Sequence, residues 1–234
     1  MVRRSLEGGK HVVTANKALI AECGNEIFRL AREQGLTVAF EAAVAGGIPV
    51  IKVLREGLAG NRIHKIAGII NGTSNYILTD MLENNVDFSL SLKEAQRLGY
   101  AESDPTFDID GTDAAHKLAI LASIAYGIPL RFDQVYIEGI TSITSEDIGY
   151  ATELGYRVKH LGLAIRRSDG IELRTHPCLV PIEELLANVN GVMNAIQIEG
   201  DAVGPTLHYG AGAGSDPTAS AVVAAIVDLS LIHI

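Results

Sequence analysis

The chain has no tryptophan and only two cysteines. Cys23 and Cys178 stand far apart and share no metal-ligand spacing, so a disulfide framework and a thiolate metal site are excluded and reduced thiols are expected. No apolar run reaches the roughly 18 residues of a membrane span. Positive charge is in deficit. With 19 Lys and Arg against 28 Asp and Glu, the net charge is −9, which argues against nucleic acid or an anionic membrane as partner. The opening Met1-Val2-Arg3-Arg4 lacks the apolar stretch of a secretory leader, and the cytoplasm is the expected compartment. Internal repeats and low-complexity linkers are absent. So is a G-x-G-x-x-G dinucleotide fingerprint, because Gly210, Gly212 and Gly214 alternate instead. What is present is aliphatic. Hydrophobic residues make up 47% but aromatics only 5%, so the core must be built from Ala, Val, Ile and Leu, as in an α/β protein. A length of 234 residues allows one large domain or two small ones.

The chain is organised around residues 99–117, GYAESDPTFDIDGTDAAHK. Glu102, Asp104, Asp108, Asp110, Asp113 and Lys117 crowd this span. Ser103, Asp104 and Pro105 are turn formers, so its first half is expected as loop. A helix follows, with Asp110 or Thr112 as N-cap and Ala114, Ala115, Leu118, Ala119 and Leu121 continuing it. Asp113 and Lys117, four apart, share a face of that helix. Such a pair is commonly a surface ion pair. Here the helix is otherwise apolar and the preceding loop is acidic, which favours a polar pocket holding an amine able to exchange a proton.

Elsewhere the pattern alternates. A helix tail ends at Gly8-Gly9. A strand over 11–15, a helix over 18–34 and a strand over 36–40 form a β-α-β unit. Lys17 sits at the carboxyl end of the first strand, where ligands gather, although a surface lysine at a helix start reads equally well. Residues 41–49, EAAVAGGIP, are either a tight turn or a turn exposing carbonyls to a hard cation. A helix over 48–58 and a central strand over 63–70 come next. A helix over 76–83 follows, capped by Thr73 or Ser74, where free amides also suit a carboxylate. A helix over 89–98 precedes the acidic span. After it come a strand over 133–140, a helix opened by Ser145-Glu146-Asp147, and a hairpin of strands 158–166 and 170–178. A short helix over 181–186, strand pieces 195–199 and 202–204, a glycine-rich turn and a helix over 217–229 complete the chain. The middle is expected to be a sheet covered by helices on one face.

The run of Glu102, Asp104-Pro105, Asp108, Gly111, Asp113 and Lys117 resembles the signature of homoserine dehydrogenase, matching it without a gap. Thr14-Ala15-Asn16-Lys17 and Asn71-Gly72-Thr73 resemble further motifs of that family, and the resemblance extends over nearly the whole chain. It implies an α/β fold: an incomplete Rossmann-like nucleotide-binding domain plus an α+β catalytic and dimerisation domain. The division implied is 1–40 for the remnant of the nucleotide-binding domain, 41–208 for catalysis and dimerisation, and 209–234 for the return to the nucleotide side. The activity implied is the NAD- or NADP-dependent interconversion of L-homoserine and L-aspartate 4-semialdehyde, in threonine, methionine and isoleucine biosynthesis. By resemblance Lys117 is the general acid/base and Asp113 orients it. Glu102 binds the substrate ammonium, with Asp108, Thr73 and Tyr100 nearby. Lys17, Gly212 and Gly214 face the cofactor. Carbonyls of Glu41, Val44, Gly46 and Ile48 would hold sodium, and the protein would be a homodimer through its middle sheet.

Nothing before His11 matches the family's first strand and Gly-rich turn. On the order of 90–100 residues of the nucleotide-binding domain are therefore expected to lie outside the chain, including the residue that separates NAD from NADP. Residues 229–234 do not resemble the family's continuation. The alternative expectation is a non-catalytic fragment that keeps only amino-acid binding and dimerisation.

Overall fold

A computed structural model describes residues 1–231; the expectations for residues 232–234 lie outside the described residues. Helix α1 (Val2–Glu7) ends at Gly8. Strand β1 (Val12–Val13), helix α2 (Lys17–Glu33) and strand β2 (Val38–Ala39) make the β-α-β unit, with Val12 opposite Val38 in a parallel pair. Asn16 caps α2 by accepting the Leu19 amide at 3.0 Å, so the helix begins at Lys17 itself. Ile20, Ala21, Ile27 and Ala31 are its buried face, one stripe at helical spacing. Glu41 then caps the short helix α3 (Val50–Lys52), its carboxylate accepting the amides of Ile51 and Lys52 at 2.9 and 3.0 Å. A wider helical turn over Val53–Gly57 continues α3.

Strand β3 (Ile63–Ile69) lies inside a six-stranded sheet and leads into helix α4 (Gly72–Asn84). This helix starts four residues before the expected 76, and its cap is Asn71, which accepts the Ser74 amide at 2.8 Å, not Thr73 or Ser74. Thr73, Ser74 and Asn75 are weak helix formers because their side chains compete for nearby backbone. Here tertiary partners engage those side chains: the Tyr100 carbonyl for Thr73, the Asp108 carbonyl for Ser74, and the 189–193 turn for Asn75. The backbone is left free to coil.

Helix α5 (Phe88–Arg97) follows. The acidic loop contains one unexpected turn of helix, α6 (Thr106–Ile109). Helix α7 (Thr112–Tyr126) begins after Gly111, whose φ of 90° makes it the cap residue in place of Asp110 or Thr112. Asp110 still assists by accepting the Thr112 amide at 2.8 Å. The expected strand over 133–140 shrinks to β4 (Tyr136–Ile137). It is cut short where Gly139 crosses the acidic loop, and a Cβ there would stand 2.3 Å from the Ile109 carbonyl oxygen. Helix α8 (Ser145–Glu153) carries a reciprocal capping box, with Thr144 as cap and Asp147 returning the bond, rather than a cap at Ser145.

Strands β5 (Tyr156–Arg166) and β6 (Ile171–Pro181) form a long hairpin. β6 runs on to Pro181, the first residue of the span expected as a short helix, and the helical turn falls later, at Leu185–Asn188. Along most of its length β6 pairs only with β5, so Pro177 and Pro181 cost it no ladder bond. Strands β7 (Met193–Gly200) and β8 (Gly204–Ala211) pair antiparallel, with Gly200 opposite Gly204. β8 runs well past the expected strand piece 202–204 and enters the glycine-rich stretch as far as Ala211, because cross-strand pairing outweighs the weak strand propensity of Gly210. Helix α9 (Ser215–Leu231) closes the described chain.

The sheet order is β4-β6-β5-β3-β7-β8. One face carries Ile66, Ala164, Ile196 and Ile198 against Leu118 and Ala119 of α7, in a core that runs on into α2 and α3. The other face carries Ala67, Ile69, Leu161, Leu163 and Ala195, roofed by Leu186, Ala187 and Val189. The protein is thus mixed α/β, with its helices gathered on one face of a largely antiparallel sheet. None of the described helices is long and apolar enough to cross a membrane.

Candidate active site

Four elements meet at one cleft of ≈ 450 Å³: the start of α2, the start of α4, the acidic loop with α7, and the end of β8. Lys17, Thr73, Tyr100, Glu102, Asp108, Asp113, Lys117, Gly212 and Gly214 all line it. At its floor lies a buried ion cluster. The Lys117 ammonium donates to Asp113 Oδ2 and to the Ile70 carbonyl, both at 2.7 Å. Lys17 reaches the other carboxylate oxygen, Oδ1, at 3.0 Å. Asn71 Nδ2 donates to Asp113 Oδ2 and to Asp108 Oδ1, each at 2.8 Å. One carboxylate therefore holds two ammonium groups and an amide.

The helix α7 presents Asp113 and Lys117 on one face, and its neighbours are apolar, so the pair is enclosed. The Asp113 side chain is 4% exposed and that of Lys117 11%. Burial alone would push the Asp113 carboxyl up. The Lys117 and Lys17 ammonium charges, with hydrogen bonds from Lys117 and Asn71, outweigh it and hold the group at about 2. Asp108 goes the other way. Burial raises its carboxyl despite the Asn71 hydrogen bond, and the nearby Asp113 charge adds to the rise. Two of the three Lys117 N–H bonds are committed, leaving one for the cleft.

The walls are fixed as tightly. Thr73 Oγ1 donates to the Tyr100 carbonyl at 2.7 Å, tying the start of α4 to the 99–100 segment. The Tyr100 ring packs on Tyr76 at 5.0 Å between centroids. Glu102 is exposed at the mouth, the position for a group that meets a charged ligand on entry. Lys17 lies 5.8 Å above the Phe107 ring. Gly212 leaves no room for a side chain, since a Cβ would lie 2.1 Å from the Asn194 amide.

Glu41, Val44, Gly46 and Ile48 do not line this cleft. The Glu41 carboxylate is engaged by the α3 amides, and the carbonyls of Glu41 and Ile48 accept from Val44 and Val50. Only backbone oxygens are available there, which suits a hard monovalent ion and no softer metal. Among the described residues there is no cluster of His, Cys, Asp and Glu able to hold a metal. Sequence reasoning missed Asn71 as a member of the cluster, although an Asn between strand and helix signals a cap. Val192 and Ala211, also in the wall, carry no sequence signal.

A family model for homoserine dehydrogenase matches residues 49–227. The chain belongs to the homoserine dehydrogenase family. It is 66% identical to a homoserine dehydrogenase of Pseudomonas aeruginosa over 98% of this chain and 53% of that protein. It is 50% identical to one of Helicobacter pylori, over 98% of this chain and 54% of the other. Among solved structures, the homoserine dehydrogenase of Thiobacillus denitrificans superposes with a TM-score of 0.98 at 63% identity, over 99% of this chain and 54% of that one. A hyperthermophilic archaeal homoserine dehydrogenase in complex with NADPH gives 0.86 at 32% identity, over 98% and 67%. The chain spans about half the length of the curated relatives it matches.

Proposed function

We propose that this chain is the substrate-side part of an NAD(P)-dependent dehydrogenase that interconverts L-homoserine and L-aspartate 4-semialdehyde. The observation that carries this reading is the buried Lys17–Asp113–Lys117 cluster opening into a cleft with Glu102 at its mouth. The oxidation of an alcohol needs a base for the hydroxyl proton. Lys117 is the acid/base: as the neutral amine it takes the hydroxyl proton through the position that faces the cleft, and as the ammonium, its charge balanced by Asp113, it returns that proton to the carbonyl oxygen in the reverse direction. Lys17, Gly212 and Gly214 would face the cofactor, which when bound supplies the hydride acceptor. Glu102 takes the substrate ammonium. Asp108, Thr73 and Tyr100 complete that side.

In this reading 41–208 is the catalytic and dimerisation part, and 1–40 and 209–234 belong to the nucleotide side, in a cytoplasmic enzyme. Leu185 and Tyr209, exposed on the roofed side of the sheet, support pairing there into a homodimer. Light scattering showing only monomer at high concentration contradicts this. The backbone oxygens of Glu41, Val44, Gly46 and Ile48 are the proposed sodium site.

The deciding experiment is a steady-state assay of reduced nicotinamide absorbance on an enzyme carrying these residues, with homoserine as substrate and sodium varied. Absence of turnover on homoserine rejects the reading, and sodium independence rejects the ion site. In the same assay Glu102→Ala should raise KM for homoserine by roughly 10–100-fold, the worth of a hydrogen bond to a charged group, with a smaller change in kcat. An unchanged KM would remove Glu102 from ammonium recognition. The second reading, amino-acid binding without catalysis, is separated by a nicotinamide fluorescence titration of the 234-residue chain, where no binding is its signature.

A further inference from the structure

Lys159 is a buried lysine that the chemistry above does not use. It sits in β5 at 2% exposure, yet among the described residues its ammonium meets no carboxylate. It meets three neutral oxygens instead: the Val189 carbonyl at 2.6 Å, Asn190 Oδ1 at 3.0 Å and Asn75 Oδ1 at 3.4 Å. Burial, helped by the Arg157 charge and only partly offset by the Glu83 charge, pulls the amine down to about 8. Desolvating such a group is costly, and an apolar residue of similar volume would serve stability as well or better. The lysine therefore calls for a role other than stability.

Its partners suggest one. Asn75 Nδ2 donates to the carbonyls of Val189, Gly191 and Met193. Thr79, one turn along α4, accepts the Gly191 amide at 3.2 Å. Lys159, Asn75 and Thr79 thus grip the 189–193 turn from β5 and from α4 together. That turn presents Val192 to the cleft, beside Gly72. The two touch, because a Cβ on Gly72 would lie 2.7 Å from the Val192 carbonyl oxygen. Gly72 in turn directly follows Asn71, the residue that bridges Asp108 and Asp113.

We propose that Lys159 is a positioning residue for the amino-acid side of the cleft, pinning the 189–193 turn against the start of α4 so that Val192 and Gly72 keep their places in its wall. The proposal rests on the dehydrogenase reading above. It requires that substrate affinity, and not the chemical step, depend on Lys159.

Two variants test it: Lys159→Met, which keeps the stem and removes the donors, and Asn190→Ala, an exposed site where folding is not at stake. Each is assayed for steady-state kinetics in the active enzyme and for amide hydrogen exchange. Loosening of 189–193 is expected in both. KM for homoserine should rise about tenfold in Lys159→Met and less in Asn190→Ala, with kcat within about twofold and cofactor KM unchanged. Loosened exchange with unchanged KM overturns the proposal, as does a loss confined to kcat or unchanged exchange in both variants. If Lys159→Met does not fold, Asn190→Ala decides by the same criteria. Wild-type protein inactive on homoserine would instead reject the dehydrogenase reading, and the exchange arm would still show whether Lys159 holds the turn.

Discussion

Replacing Lys117 by alanine is expected to lower turnover by about 10²–10⁴-fold, the usual contribution of a positioned proton-transfer group, while cofactor affinity changes little. In the proposed reading the amine is set for this transfer. Asp113 and the Ile70 carbonyl fix two of its donors at 2.7 Å, and the third direction opens on the cleft. Lys117→Arg should not rescue the reaction, because a guanidinium keeps its proton throughout the neutral range. The fork is also too wide for a site built around a single nitrogen between Asp113 and Ile70. Loss of an interaction made in the transition state lowers kcat and kcat/KM together. Absorbance kinetics with homoserine and cofactor varied separately check both variants. Near-normal turnover by Lys117→Ala would take Lys117 out of the chemistry.

Asp113→Ala is expected to be the most destabilising change in the cleft, by about 3–5 kcal/mol, the cost of removing one partner from a buried ion pair. Here the removed carboxylate answers to two ammonium groups. Without it Lys117, nearly enclosed, faces Lys17 with no carboxylate in ion-pair contact, and Asn71 loses an acceptor. Asp113→Asn should lose less, since an amide oxygen can still accept from one lysine. The pH dependence has a definite sign. The folded-state carboxyl is held at about 2, below its ordinary 3.8, so its ionic contribution is fully present above the ordinary value. It is lost as pH falls from there through about 2. The gap in unfolding free energy between wild type and Asp113→Ala should therefore narrow across that window and stay constant from pH 5 to 7. Denaturant unfolding of the 234-residue chain followed by circular dichroism measures it. Equal midpoints at pH 7 would mean that the cluster contributes nothing to stability.

How much of this was legible in the chain itself follows from the range of the interactions involved. A helix converts a spacing of four into a shared face, so Asp113 and Lys117 could be paired on paper. The β-α-β pattern likewise put Lys17 at the end of a strand, because period and turn residues are local properties. The family resemblance was carried by contiguous motifs of the same kind. The sequence alone thus determined the family, the order of most elements and the pairing of Asp113 with Lys117. Tertiary structure alone decided that Lys17 closes on Asp113 at 3.0 Å and that Asn71 joins Asp108 to Asp113. It also brought Val192 and Ala211 to the wall. Those contacts join residues far apart in the chain, and they depend on sheet register and loop path, which no local spacing encodes. The early start of α4 and the full length of β8 belong to the same class. In both, weak local propensity was overridden by partners supplied from distant elements: the Tyr100 and Asp108 carbonyls and the 189–193 turn for α4, and the edge of β7 for β8.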